Sequence, residues 1–171
     1  MNITTKIIVT DTNIITDLNN AKILNKFVML DNVYISDMIK NDEIKNSTGD
    51  IEIINKFKTI GTTDKQILEI IKISNEKNGL SQYDIINFII ARDNNGILAT
   101  GDKKLKEYSE DNGIEVIRTL KIIDKMYESK IISKDEVIKA CELLKNDKTT
   151  RIPKDELDKR INKLKKDLTT C

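Results

Sequence analysis

The sequence predicts an α/β fold in which a parallel sheet lies between layers of helices, and three observations predict it. Stretches with helical apolar spacing alternate with short apolar stretches rich in β-branched residues. The short stretches lack the apolar-polar alternation of a half-exposed sheet, as strands buried on both faces should. Asp11 and Asp102 each fall just past the carboxyl end of one of these stretches, the end of a parallel strand where ligands gather.

The elements follow in order. Lys6-Ile7-Ile8-Val9-Thr10 reads as a strand ending in the polar turn Asp11-Thr12-Asn13. Leu18, Ala21, Leu24 and Phe27 recur at helical spacing, so one helix is expected from Ile14 to Phe27, followed by a strand at Val33-Tyr34-Ile35. Ser36 is placed to cap a helix carrying Met38, Ile39 and Glu43, and a second helical stretch is expected from Asp50 to Lys58. Thr63-Asp64-Lys65-Gln66 has the form of a capping box, and the helix it opens carries Ile67, Ile70, Ile71 and Ile73 before Asn78-Gly79 stops it. Ser81 to Asp84 starts another helix, whose apolar Ile85, Ile86, Phe88, Ile89 and Ile90 lead to the turn Asn94-Asn95-Gly96. The strand Ile97-Leu98-Ala99-Thr100 then ends in Gly101-Asp102. A helix from Lys103 to Glu110 leads through Asn112-Gly113 to the strand Glu115-Val116-Ile117.

The last third is helical, with helices expected over Thr119 to Lys130, Ser133 to Lys145 and Pro153 to Leu168. The expected organisation is one domain over residues 1–171, an α/β core at 1–118 and a helical extension at 119–171. Leu157, Ile161, Leu164 and Leu168 form one narrow apolar stripe on the final helix. Packing on the chain itself, a homodimer contact or a partner's helix would all use that stripe. Lys145 to Lys166 holds nine basic residues against four acidic ones, a locally positive segment that as a rule is a solvated face.

Composition narrows the chemistry. The 171 residues are 39% hydrophobic and 33% charged, too apolar for disorder and without a run long enough to cross a bilayer. Met1 to Lys6 lacks a signal-peptide pattern, so a cytoplasmic protein is expected. Two cysteines, Cys141 and Cys171, make no disulfide framework. The absence of histidine excludes Ser/His/Asp and Cys/His triads and imidazole-bound zinc. With 29 Lys and Arg against 28 Asp and Glu, no global field draws in a polyanion, and any anion must be bound locally. Hydrolytic chemistry must therefore run on carboxylates and a metal. Carboxylates held close together repel, and a divalent cation resolves the conflict. Magnesium and manganese prefer oxygen ligands, orient a water and stabilise charge on a phosphodiester, which is a nuclease chemistry that needs no histidine.

In this light the chain resembles the PIN-domain family, especially the small prokaryotic members that include VapC-type toxins. Ile8-Val9-Thr10-Asp11-Thr12-Asn13 is similar to the family's opening strand and first acid, and Ile35 to Glu43 to its second block. Asp84, at the start of a helix ahead of Ala91, resembles the third acid. Gly96 to Leu105 resembles the Thr-x-Asp segment that makes Asp102 the fourth. Each block alone is weak, whereas four in the right order are much stronger. Lys106 stands where some members carry a further acid. The resemblance implies a three-layer α/β/α fold with about five parallel strands, and magnesium or manganese held by Asp11, Glu43, Asp84 and Asp102 as catalytic residues. It also implies an RNA substrate and the prospect of a toxin-antitoxin pair with an antitoxin protein as partner.

Structural readings stand beside these. Asp11 and Asp102 are favoured helix caps, and Asp84 is the natural acidic partner of Ser81 in a capping box. Glu43 competes with Asp42 and Asp37 for the ligand position. Asn13 and Thr100 are supporting candidates that would orient a carboxylate or water, although both are also common turn formers. Asp17, a turn and a half past Asp11, is expected to face solvent. The competing function is a non-catalytic regulatory domain that binds RNA or metal without cutting. A receiver-like switch fits poorly, since Asp11 is flanked by Thr10 and Thr12 rather than a second acid. Phosphotransfer of the haloacid dehalogenase type would want an aspartate where Asn13 stands.

Overall fold

The structure, a computed structural model, describes residues 2–40, 51–76 and 79–166. Its sheet has five parallel strands, β1 (Ile8–Thr10), β2 (Val33–Ser36), β3 (Lys58–Ile60), β4 (Ile97–Ala99) and β5 (Glu115–Ile117), in the order β3-β2-β1-β4-β5. β1 is central: Val9 pairs with Tyr34 on one side and Leu98 on the other, and Thr10 lies opposite Ala99. Ile8, Val9, Leu98 and Ala99 are almost wholly buried, which is why these strands read as unbroken apolar runs.

Helix α6 (Gln82–Asp93) lies across β1, β2 and β4, and Ile85 to Ala91 are all buried, including the polar Asn87. Its outer side packs against α5 (Asp64–Glu76) and α7 (Lys103–Asp111), completing one layer. The other layer is built by α1 (Thr12–Asn20), α8 (Thr119–Glu128) and α9 (Lys134–Asn146), which pack on one another, with α10 (Lys154–Lys166) against α9. The result is the three-layer α/β/α arrangement that the alternation of elements predicts. Leu157 and Ile161 of the α10 stripe are buried against the chain itself. Arg160 pairs with Asp124, Lys145 with Asp158 and Lys165 with Glu142, holding α10 to α8 and α9. Among the described residues no helix is long and apolar enough to cross a membrane.

Two expectations are corrected. The helix expected over Ile14 to Phe27 is two helices, α1 and α2 (Leu24–Phe27). Lys22 takes a φ of 60°, and the amides of Lys22 and Ile23 donate to the carbonyls of Asn19 and Leu18, a Schellman closure with lysine where glycine is usual. Buried Leu18 and Ile23 lock it, so tertiary packing overrides the periodic pattern. The helical stretch expected to Lys58 ends at Lys56 as α4 (Ile51–Lys56), and Lys58–Ile60 is the edge strand β3. Its side chains are mostly exposed and carry no strand rhythm; pairing with β2 makes the strand, and Lys58 suits an edge that must not recruit another chain. Between β2 and α4 lies α3 (Asp37–Ile39), capped by Ser36, whose hydroxyl accepts from the Met38 amide at 3.2 Å.

Gly96 is where α6 turns into β4. A Cβ there would stand 2.8 Å from Ile7 Cγ1 and 3.2 Å from the Ile7 carbonyl oxygen, which accepts the Ile97 amide at 2.8 Å. The Gly96→Ala variant is therefore expected to lose about 1–3 kcal/mol. Urea unfolding should show this as a lowered midpoint with an unchanged slope.

Candidate active site

The strand order reverses between β1 and β4, because the chain steps from β1 outward to β2 and β3, then returns to add β4 and β5 on the other side. Such a switch point opens a crevice at the carboxyl ends of the two strands. Asp11 directly follows β1, and Thr100, Gly101 and Asp102 directly follow β4.

Asp11 is 4% exposed and caps α1, its Oδ1 accepting from the Ile14 amide at 3.1 Å. Its Oδ2 accepts from the Thr100 hydroxyl, with the Asn13 side-chain amide at 3.5 Å. The Asp11 amide donates to Ala99 at 3.0 Å, so the cross-strand pairing extends to the acid itself. Burial pushes the Asp11 carboxyl up to about 6; the hydrogen bonds from Thr100, Ile14 and Asn13 oppose this, and the charge of Asp84 adds to it.

Asp102 caps α7, its Oδ1 accepting from the Leu105 amide at 2.9 Å, while its own amide donates to Thr100 Oγ1 at 3.0 Å. Thr100 thus joins the two acids, accepting from one residue and donating to the other. Asp84 lies in the first turn of α6 in a reciprocal capping box: its Oδ2 accepts from the Ser81 amide at 2.7 Å, and Ser81 Oγ accepts from the Asp84 amide at 3.1 Å. The capping readings of Asp11, Asp84 and Asp102 are thus correct as geometry. They are also what delivers three acids, and the electropositive ends of three helices, to one region. Glu43 and Asp42 lie outside the described residues, and Asp37 is an exposed residue whose Oδ1 accepts from the Met38 amide at 2.8 Å.

The donors at this edge are carboxylate, hydroxyl and amide oxygens, the set that suits magnesium or manganese. A buried Asp11 with a like charge in reach favours either a proton or a cation. Among the described residues no three acidic side chains converge closely enough to hold a metal. Thr100 ties Asp102 to Asp11 and electrostatics ties Asp84 to it, without the three closing on one point.

Sequence reasoning missed a second group beside the first. Asp17 does not face solvent: α8 packs against α1, the Thr119 hydroxyl donates to Asp17 Oδ2 at 2.5 Å, and burial raises the carboxyl above its usual range. Arg118 follows β5 as Asp11 follows β1, a placement that could have drawn attention to it. Arg151 arrives from the segment between α9 and α10, with Nη1 3.8 Å from Asp102 Oδ2. At 73% exposure of the arginine side chain this is a weak pair. A pocket of about 270 Å³ lies between these residues and Asn13.

The raised Asp11 value fixes a pH dependence. Between about 4 and about 6 the folded chain holds a proton that the unfolded chain releases, so this residue's contribution is greatest below the unfolded value and is lost as pH rises through about 6. The shift is worth about 3 kcal/mol at most. Asparagine removes the ionisation but cannot accept from both Ile14 and Thr100, so Asp11→Asn should be about 1–2 kcal/mol more stable at pH 7. Urea unfolding in EDTA at pH 4 and pH 7 measures it; wild type should weaken between the two relative to the variant.

No curated protein and no solved structure matches the chain. The family model of the PIN domain matches residues 7–166, nearly the whole chain, and that span includes both acid-bearing strand ends and the C-terminal helices. The chain belongs to the PIN-domain family, whose members are generally nucleases.

Proposed function

We propose that the chain is a metal-dependent ribonuclease whose Asp11, Glu43, Asp84 and Asp102 hold magnesium or manganese at the carboxyl edge of β1 and β4. The observation that carries this reading is the link Asp11-Thr100-Asp102 across the topological switch point, with the charge of Asp84 reaching Asp11. A bound divalent ion would supply an activated water and charge stabilisation on the phosphodiester. The chain's own groups do the positioning. Thr100 and the Ile14 amide fix both oxygens of Asp11, and the Leu105 amide fixes Oδ1 of Asp102. Asn13 supports Asp11 from the exposed side. The N-termini of α1, α6 and α7 favour a phosphodiester anion at this edge. The toxin role implied by the resemblance, with a neutralising protein or a second copy as partner, belongs to the same proposal.

One observation favours the second reading, a domain that binds RNA without cutting it: the described acids do not converge on one point. Labelled single-stranded RNA incubated with manganese, magnesium or EDTA separates the two. Cleavage should require metal and fall about 100-fold or more in both Asp11→Asn and Asp102→Asn. Thr100→Val should cut about 10–100-fold more slowly, as loss of a residue that orients metal ligands does. Cleavage that survives EDTA, or both aspartate variants, contradicts the proposal. RNA retained in a gel shift but left intact under every condition favours the binding module.

A further inference from the structure

The pocket beside the acids shares a wall with the acidic edge. Asn13 touches Asp11, Gly101 precedes Asp102, and Arg151 approaches Asp102 at 3.8 Å; all three line the pocket. Its volume of about 270 Å³ lies at the lower end of ligand pockets, which usually begin near ~300 Å³, so it takes a single compact ligand rather than an extended one. Two cations stand at it. Arg118 touches the Gly101 carbonyl only at 3.5 Å, and the Arg151 side chain is largely exposed and loosely paired. Leu120, Ile152 and Pro153 supply an apolar wall.

The pocket also contains Asp17 and Glu156. These carboxylates would repel a phosphate lodged among them but would accept hydrogen bonds from the N–H groups of a base. The combination of a cationic arginine pair, an apolar wall and carboxylate acceptors therefore selects a nucleotide over a bare phosphate. Arg151, Ile152 and Pro153 all come from the segment before α10, so the C-terminal part of the chain builds one side of the pocket.

We propose that this pocket is a nucleotide subsite, holding one nucleotide of the RNA strand next to the scissile phosphate, with Arg118 and Arg151 on its phosphate and its base against Leu120, Ile152 and Pro153. The proposal rests on the nuclease reading for the identity of the strand, but not for the binding itself. It gives the C-terminal segment a role in substrate recognition.

The test is calorimetric titration of the full chain in EDTA with each 5′-nucleoside monophosphate, with inorganic phosphate and with the nucleosides, followed by steady-state RNA cleavage. At least one monophosphate should bind about ten-fold more tightly than phosphate or its own nucleoside. Arg151→Ala and Arg118→Ala should each weaken that binding about ten-fold, and Arg151→Lys less so. In cleavage, Arg151→Ala should raise KM about ten-fold and change kcat less. Nucleotide binding that depends on the arginines in a chain that cuts no RNA supports the subsite and removes only the nuclease reading. Monophosphates that bind no better than phosphate overturn the subsite, as does RNA cleavage with an unchanged KM in both arginine variants, even where the nuclease reading stands.

Discussion

The Thr100 hydroxyl sits where β1 and β4 end, accepting from the amide of Asp102 and donating to the carboxylate of Asp11. Everything at the candidate site depends on that junction. It holds two acids that are 91 residues apart in sequence at neighbouring strand ends, and it does so where the sheet order reverses and a crevice must open. The flanking architecture serves the same point. The apolar α6 spans the three central strands and carries Asp84 in its first turn, so the helix that closes one face of the core also carries an acid to the edge.

The arrangement is costly. Asp11 is nearly sealed from water, and three hydrogen bonds do not fully offset its desolvation. A buried acid held near a second acid is poor design for stability and good design for binding a cation, which is the trade a functional site makes. The rest of the fold absorbs the cost through a large hydrophobic core that includes Ile8 and Val9 of β1.

Much of this is legible in the sequence, for physical reasons. β1 and β4 are buried on both faces and lead into an acid, so composition and position coincide, and Asp11 and Asp102 stand out from the residue pattern alone. The capping boxes at Thr63 and Ser81 are legible because their hydrogen bonds are local. β3 is not, since Lys58-Thr59-Ile60 is an exposed edge whose identity lies in main-chain pairing rather than side-chain pattern. The break at Lys22 is hidden because lysine there adopts a conformation that glycine would have announced. The meeting of Asp17, Arg118 and Arg151 joins α1, the end of β5 and the segment before α10, and no local pattern reports such a convergence.

On the proposed reading, the acids at the ends of β1 and β4 and at the start of α6 serve one divalent cation. Adding substoichiometric manganese to isotopically labelled protein and following paramagnetic broadening of the amide signals tests it most directly. Broadening is expected to be selective for Asp11, Asp84 and Asp102 and their neighbours Thr100 and Asn13, and to be reversed by excess magnesium. Broadening centred elsewhere, or spread evenly over the acidic surface, would contradict it.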